Sequence, residues 1–107
     1  MLFRLTTQGY RFAVSSITVY ELLRGDNTDE DVYWKAMFAN MEILPFDFAW
    51  AEQAAKIYKD LKQKALLIEA EDLFIGATAL QHRLKLVTTN VQHFERIEGL
   101  ALMENVA

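Results

Sequence analysis

Hydrophobic positions recur along the first half of the chain at two different spacings, and the pattern predicts alternating strands and helices. The run FAVSSI, from Phe12 to Ile17, places apolar residues among small ones, as expected for a strand covered on both faces. Two helices are predicted next, from Thr18 to the turn-prone stretch 24–27 and from Thr28 to about Asn40. The segment from Glu42 to Phe46 then predicts a second strand.

The second half of the chain repeats this order. Asp47 is expected to cap a helix whose apolar residues recur at spacings of three and four, namely Trp50, Ala54, Ile57, Leu61 and Ala65. A further helix is predicted from Asp72 to Arg83, with small residues that permit close packing on a sheet. A strand from Lys85 to Thr89 and a short one from Leu100 to Met103 complete the chain. The order predicts an α/β fold with a mostly parallel sheet between helices.

Composition indicates a single domain over residues 1–107. The chain is 52% hydrophobic and 24% charged, with one proline and four glycines, which leaves no linker. The absence of cysteine excludes disulfides and thiolate metal sites and favours a reducing cytosol. No apolar run reaches the roughly 18 residues of a membrane span, and the N-terminus lacks a signal-peptide core, so we expect a cytoplasmic protein.

Two carboxylates and a polar run are the candidate chemistry. Glu21 and Asp72 each lie where a predicted strand or loop passes into a helix, which is where α/β sheets build their sites. After the strand near Thr88 come an amide at Asn90 and an imidazole at His93. Hard divalent cations prefer oxygen ligands and lower the pKa of attacking water, so these residues suggest a metal-dependent nuclease. The net charge of −4 argues mildly against a broad basic surface for nucleic acid but is compatible with metal-binding carboxylates.

The runs SSITVYELLRG, EDLFIGATAL and LVTTNVQHFERIEGLAL resemble the PIN-domain family, and most closely the VapC-type toxins of prokaryotic toxin–antitoxin pairs. The resemblance extends from about Phe12 to Met103 and includes the helix after LPFD. It implies a three-layer α/β/α fold with a cluster of acidic residues that binds Mg²⁺ or Mn²⁺. It also implies hydrolysis of RNA to 5′-phosphate and 3′-hydroxyl ends, a cognate antitoxin whose tail enters the site, and a homodimer.

Carried over by position, the resemblance makes Glu21 and Asp72 metal ligands and gives Asn90 and Thr88, or the adjacent Thr89, the role of positioning water or phosphate. His93 falls where the family usually has an acidic ligand, and histidine suits Mn²⁺ better than Mg²⁺. The family's first aspartate lies on an N-terminal strand followed by a helix, and we expect both elements to be missing here. The expected function is therefore a metal-dependent endoribonuclease toxin domain with weak or absent activity in this chain.

Alternatives remain open at this point, both for single residues and for the whole chain. Glu21 stands three residues after Thr18, which also fits a capping box that only stabilises the helix. Asp72 also fits a helix cap or an anion favoured at a helix N-terminus, and His93 fits an exposed loop residue. For the whole chain, the alternative is a degenerate, non-catalytic PIN domain that serves as a binding or dimerisation module. A small metal-free α/β ligand binder is a third class, although no glycine-rich phosphate loop supports it.

Overall fold

The chain alternates strands and helices around one sheet. The computed structural model describes residues 2–6, 9–25 and 28–103. The strands of this part are β1 Leu2–Thr6, β2 Gly9–Ser15, β3 Glu42–Leu44 and β4 Lys85–Leu86. The helices are α1 Ser16–Leu23, α2 Thr28–Phe38, α3 Phe48–Gln63, α4 Ala70–His82 and α5 Val91–Phe94. None of the helices in the described segments is long and apolar enough to cross a membrane.

The sheet has the strand order β3-β2-β1-β4. Strand β2 is parallel to β3, and β1 is antiparallel to both of its neighbours, β2 and β4. Strands β2, β3 and β4 therefore all run in one direction, and β1 runs against them. Leu102 adds an isolated parallel bridge to Leu86. The α/β fold with a mostly parallel sheet is confirmed.

Strand β1 precedes the first strand that the sequence pattern predicts. It pairs with β2 from Leu2↔Ala13 to Thr6↔Gly9, and its first residues also pair with β4. The run LFRLT is too short and irregular for periodicity to identify it as a strand. Its strand conformation follows from backbone pairing with two neighbours, which no local pattern reveals.

Helix α1 begins two residues earlier than predicted. Strand β2 ends at Ser15, whose side chain accepts a hydrogen bond from the Thr18 backbone N–H at 3.2 Å and so caps the helix. Because Thr18 lies inside the helix, the proposed capping box between Thr18 and Glu21 is wrong. The helix ends at Leu23, before Gly25 as predicted, and positions 26 and 27 of the predicted turn lie outside the described residues.

Helix α3 begins as predicted. The Asp47 carboxylate accepts a hydrogen bond from the Trp50 backbone N–H at 2.8 Å, and this bond, with a second one from the Gln81 amide, lowers the pKa of Asp47. The predicted stripe is confirmed at its centre, where Ala54, Ile57 and Leu61 are buried. Ala65 is wrongly included, because it follows the helix in the left-handed region with φ 58°.

The short helix α5 was not predicted, and the remaining differences concern element ends. Strand β3 stops at Leu44 instead of Phe46, next to a proline that has no N–H to donate. Strand β4 contains only two residues, and the predicted last strand is reduced to the bridge at Leu102. Helices α3, α4 and α5 share one core with residues of the sheet and the connecting segments: Ala13, Leu44, Ala54, Ile57, Leu61, Leu73, Ala77, Ala79, Leu84, Leu86, Phe94 and Ile97.

Candidate functional site

Asp72 lies in the first turn of α4. The helix starts at Ala70, and its N-cap residue, Glu69, makes no side-chain capping bond. Asp72 is therefore not the cap, and that alternative is wrong. An anion in the first turn is still favoured by the partial positive charge of the helix N-terminus. The Asp72 side chain is 22% exposed, so its carboxylate is accessible to a ligand.

His93 lies beside this carboxylate. It belongs to the short helix α5, and its Nδ1 is 3.0 Å from Asp72 Oδ2. The His93 side chain is 35% exposed. His93 is thus a half-buried, paired helical residue, and the reading of it as an exposed loop residue is wrong. The structure brings together two residues that lie 21 positions apart in the sequence.

Asn90 joins the pair from the N-cap of α5. Its side chain makes no capping bond there. Instead, Nδ2 donates to Asp72 Oδ2 at 3.2 Å and lies 2.8 Å from His93 Nδ1. A protonated His93 Nδ1 would donate a hydrogen bond to Asp72 Oδ2, whereas an unprotonated Nδ1 would accept a hydrogen bond from Asn90 Nδ2. The Thr88 hydroxyl oxygen accepts a hydrogen bond from the Asn90 backbone N–H at 3.0 Å. This bond holds the backbone that leads into the cluster.

Packing on α4 sets the position of α5. Phe94 and Ile97 are buried, and a Cβ built on Gly76 would lie 2.4 Å from Ile97 Cδ1. The absence of a side chain at Gly76 therefore lets the segment that carries His93 lie directly on α4. The small residues of α4 were predicted to pack on the sheet, but Gly76 meets this C-terminal segment. The Arg96 guanidinium adds hydrogen bonds to the carbonyl oxygens of residues 66 and 67 at 3.4 and 3.3 Å.

Glu21 lies on α1, which contacts α4. Its side chain is half-buried, and no hydrogen bond or ion pair joins it to another described residue. Within residues 2–6, 9–25 and 28–103, no three His, Cys, Asp or Glu side chains form one group that could hold a metal ion. The structure thus gathers Asp72, His93, Asn90 and Thr88, while Glu21 stays outside that group.

Sequence reasoning did not single out two neighbours of Glu21. The Arg24 guanidinium carbon lies 5.5 Å from the centroid of the Tyr20 ring, and both side chains are exposed. The sequence does contain a signal for this pair, because an aromatic and a cationic residue four positions apart on one helix are neighbours.

The family model, the similar sequences and the similar structures all point to one family. The PIN domain family matches residues 2–100. Ribonuclease VapC1 of Methanocaldococcus jannaschii is 36% identical over 94 residues, which cover 84% of this chain and 67% of that protein. Ribonuclease VapC1 of Rickettsia felis is 34% identical over 101 residues, or 84% of this chain and 73% of that protein. The crystal structure of VapBC2 from Rickettsia felis, bound to a DNA fragment from its promoter, contains a similar chain with a TM-score of 0.80 and 28% identity. That similarity covers 87% of this chain and 74% of the other.

Proposed function

Because this chain belongs to the PIN domain family and is of the VapC type, we propose that it is a metal-dependent endoribonuclease toxin domain that hydrolyses RNA phosphodiester bonds. The relatives named as ribonucleases support the reaction class. The observation that carries the proposal is the polar cluster around Asp72, where a carboxylate, an amide and an imidazole converge at the start of α4. This cluster caps neither of the two helices that it joins.

The proposed metal ligands are Glu21, Asp72 and His93, and the ion is Mg²⁺ or Mn²⁺. Because Glu21 lies outside the group formed by Asp72 and His93, its side chain would have to move toward Asp72 for all three to bind one ion. The donors suit such an ion in part: Mg²⁺ keeps several waters and is often bound by only one or two carboxylates, while the imidazole suits Mn²⁺. The Glu21 carboxylate has no hydrogen-bond or ion-pair partner among the described residues, so it is free to bind an ion. The bound ion would supply an activated water and neutralise charge on the scissile phosphate.

The remaining residues of the cluster orient substrate and water. Asn90 contacts both Asp72 and His93, so its amide fixes the direction of the carboxylate. The Thr88 hydroxyl holds the Asn90 backbone and retains its own proton, which it can donate to a water or a phosphate oxygen. The products of this proposed reaction carry 5′-phosphate and 3′-hydroxyl ends.

The proposed partners are RNA as substrate, a cognate antitoxin and a second copy of the chain as a homodimer, all in the cytoplasm. The similarity to a VapBC complex supports the antitoxin. An antitoxin tail with an acidic or arginine side chain would suit this site, since it could compete with the metal or bind the carboxylates.

A non-catalytic PIN domain that acts as a binding or dimerisation module is the second candidate. The observation that favours it is that Asp72 Oδ2 already lies within hydrogen-bond distance of Asn90 and His93. An ion bound at Oδ2 would compete with these two contacts, which do not involve Oδ1. Such competition would weaken metal binding, so we expect weak activity from this chain.

Cleavage of a mixed RNA pool tests the choice between these candidates. We expect this chain to cut RNA in Mn²⁺ and, more slowly, in Mg²⁺, and to stop on addition of EDTA. Asp72→Asn keeps the volume of the side chain and removes its charge, so it should abolish cleavage. Glu52→Gln, an exposed carboxylate on α3, is the matched control and should cut at the normal rate. A folded chain that does not cut RNA in either metal would support the non-catalytic module.

A further inference from the structure

Helix α1 presents an exposed aromatic–cation pair beside the candidate metal ligand Glu21. The Tyr20 side chain is 57% exposed, and Arg24 lies over its ring at 5.5 Å. On a helix, residues three apart are neighbours, so Arg24 also lies next to Glu21. Arg24 nevertheless makes no ion pair with Glu21 in the described structure, and both charged groups stay available to a ligand.

The chemistry of this pair suits a nucleic-acid strand with unpaired bases. An exposed tyrosine ring stacks on any base, and stacking of this kind requires a base that is free of its duplex. A guanidinium that lies over a ring keeps its N–H groups at its planar edge, where they can bind a phosphate in a bidentate way. The chain carries a net charge of −4, so local cations such as Arg24 are needed for its attraction to RNA when no metal ion is bound.

We propose that Tyr20 and Arg24 form a binding subsite for single-stranded RNA, in which Tyr20 stacks on a base and Arg24 binds an adjacent phosphate. The choice of RNA rests on the proposed function. The subsite lies on the same helix as Glu21, next to one of the proposed metal ligands. Both residues are binding residues, and they take no part in bond cleavage.

Equilibrium binding in EDTA tests the subsite without cleavage. The probe is a fluorescein-labelled single-stranded RNA oligonucleotide of mixed sequence, and the readout is fluorescence anisotropy. Tyr20→Leu should weaken binding by about tenfold, the usual cost of losing one stacked base. Tyr20→Phe should retain nearly normal affinity, because the stacking face remains. Arg24→Gln should reduce the slope of log affinity against log salt by about 0.7, the value for one phosphate contact on a single strand.

The chain offers a matched control on α3. Lys62 lies over the Tyr58 ring at 5.8 Å, and Tyr58 is 46% exposed, so the geometry is similar on a different helix. Tyr58→Leu and Lys62→Gln should leave RNA affinity unchanged. The wild type should bind a duplex of the same sequence more weakly than the single strand. The wild type and Tyr20→Leu should have the same affinity for that duplex.

Several results would overturn the subsite: no RNA binding by the wild type, normal binding by Tyr20→Leu, or equal losses in the two pairs of variants. A loss of antitoxin binding alone would assign the pair to a protein partner instead. RNA binding that depends on Tyr20, together with no cleavage in Mn²⁺ or Mg²⁺, would refute the proposed function and leave the subsite standing. Cleavage with normal binding by Tyr20→Leu and Arg24→Gln would overturn only the subsite.

Discussion

Gly76→Ala is expected to destabilise the chain because the added methyl group has no room. A Cβ at this position would lie 2.4 Å from Ile97 Cδ1 and 3.8 Å from Phe94 Cδ1. Ile97 is only 4% exposed, so its side chain has little space to move away. Overpacking of a core costs about 1 to 3 kcal/mol, while alanine gains about 1 kcal/mol over glycine inside a helix. The net expectation is a loss of about 1 kcal/mol in the free energy of unfolding.

Urea denaturation monitored by tryptophan fluorescence measures this loss. Gly25→Ala is the matched control, because the nearest atom to its Cβ would be Leu22 O at 3.9 Å, an ordinary contact. We expect Gly25→Ala to change the free energy of unfolding by less than about 0.5 kcal/mol. Ile97→Val removes the atom that clashes and alone should cost about 0.5 to 1.5 kcal/mol.

The double variant Gly76→Ala/Ile97→Val gives the decisive comparison. If the clash with Cδ1 is the cause, the double variant should lose less free energy than the sum of the two single variants. The clash should also shift α5, so the 3.0 Å contact between His93 and Asp72 should weaken and the His93 ring NMR signals should move. A Gly76→Ala variant as stable as Gly25→Ala, or strictly additive losses, would refute this reasoning.

Three further predictions concern helix starts and one hydrogen bond. Ser15→Ala removes the cap of α1 and should lower the free energy of unfolding by about 1 kcal/mol in urea denaturation. Asp47→Ala should destabilise α3 in a pH-dependent way, because hydrogen bonds lower the pKa of Asp47 in the folded chain below its usual 3.8. The stability difference from the wild type should be complete above pH 3.8 and should vanish as the pH falls through the lower folded pKa. Thermal unfolding at a series of pH values measures it. Trp50→Phe removes the bond from Nε1 to Phe74 O at 3.2 Å and should cost about 1 kcal/mol in thermal unfolding monitored by circular dichroism.

Local sequence signals predicted the helices better than the strands. Asp47 and the stripe at Ala54, Ile57 and Leu61 placed α3 correctly, because capping and periodicity are properties of neighbouring residues. The start of α1 was placed two residues late, at Thr18, because the capping role of Ser15 was not recognised. Strand β1 was missed because its conformation depends on pairing with β2 and β4.

The candidate site was predicted residue by residue but not as a geometry. Asp72, Asn90, Thr88 and His93 were chosen individually, and the hydrogen bonds that join them arise only from the packing of α5 on α4. The role of Gly76 in that packing has no signal in the sequence beyond its small size. The position of Glu21 outside the cluster likewise depends on how α1 lies against α4.

The central proposal is that Glu21, Asp72 and His93 hold one divalent ion, and a Mn²⁺ titration without RNA tests the two carboxylates most directly. Binding would be measured by calorimetry for the wild type, Glu21→Gln, Asp72→Asn and the control Glu52→Gln. The proposal predicts one site in the wild type and a loss of affinity of about tenfold or more in both site variants, with no change in the control. Normal Mn²⁺ binding by Glu21→Gln, or no binding by the folded wild type, would contradict it.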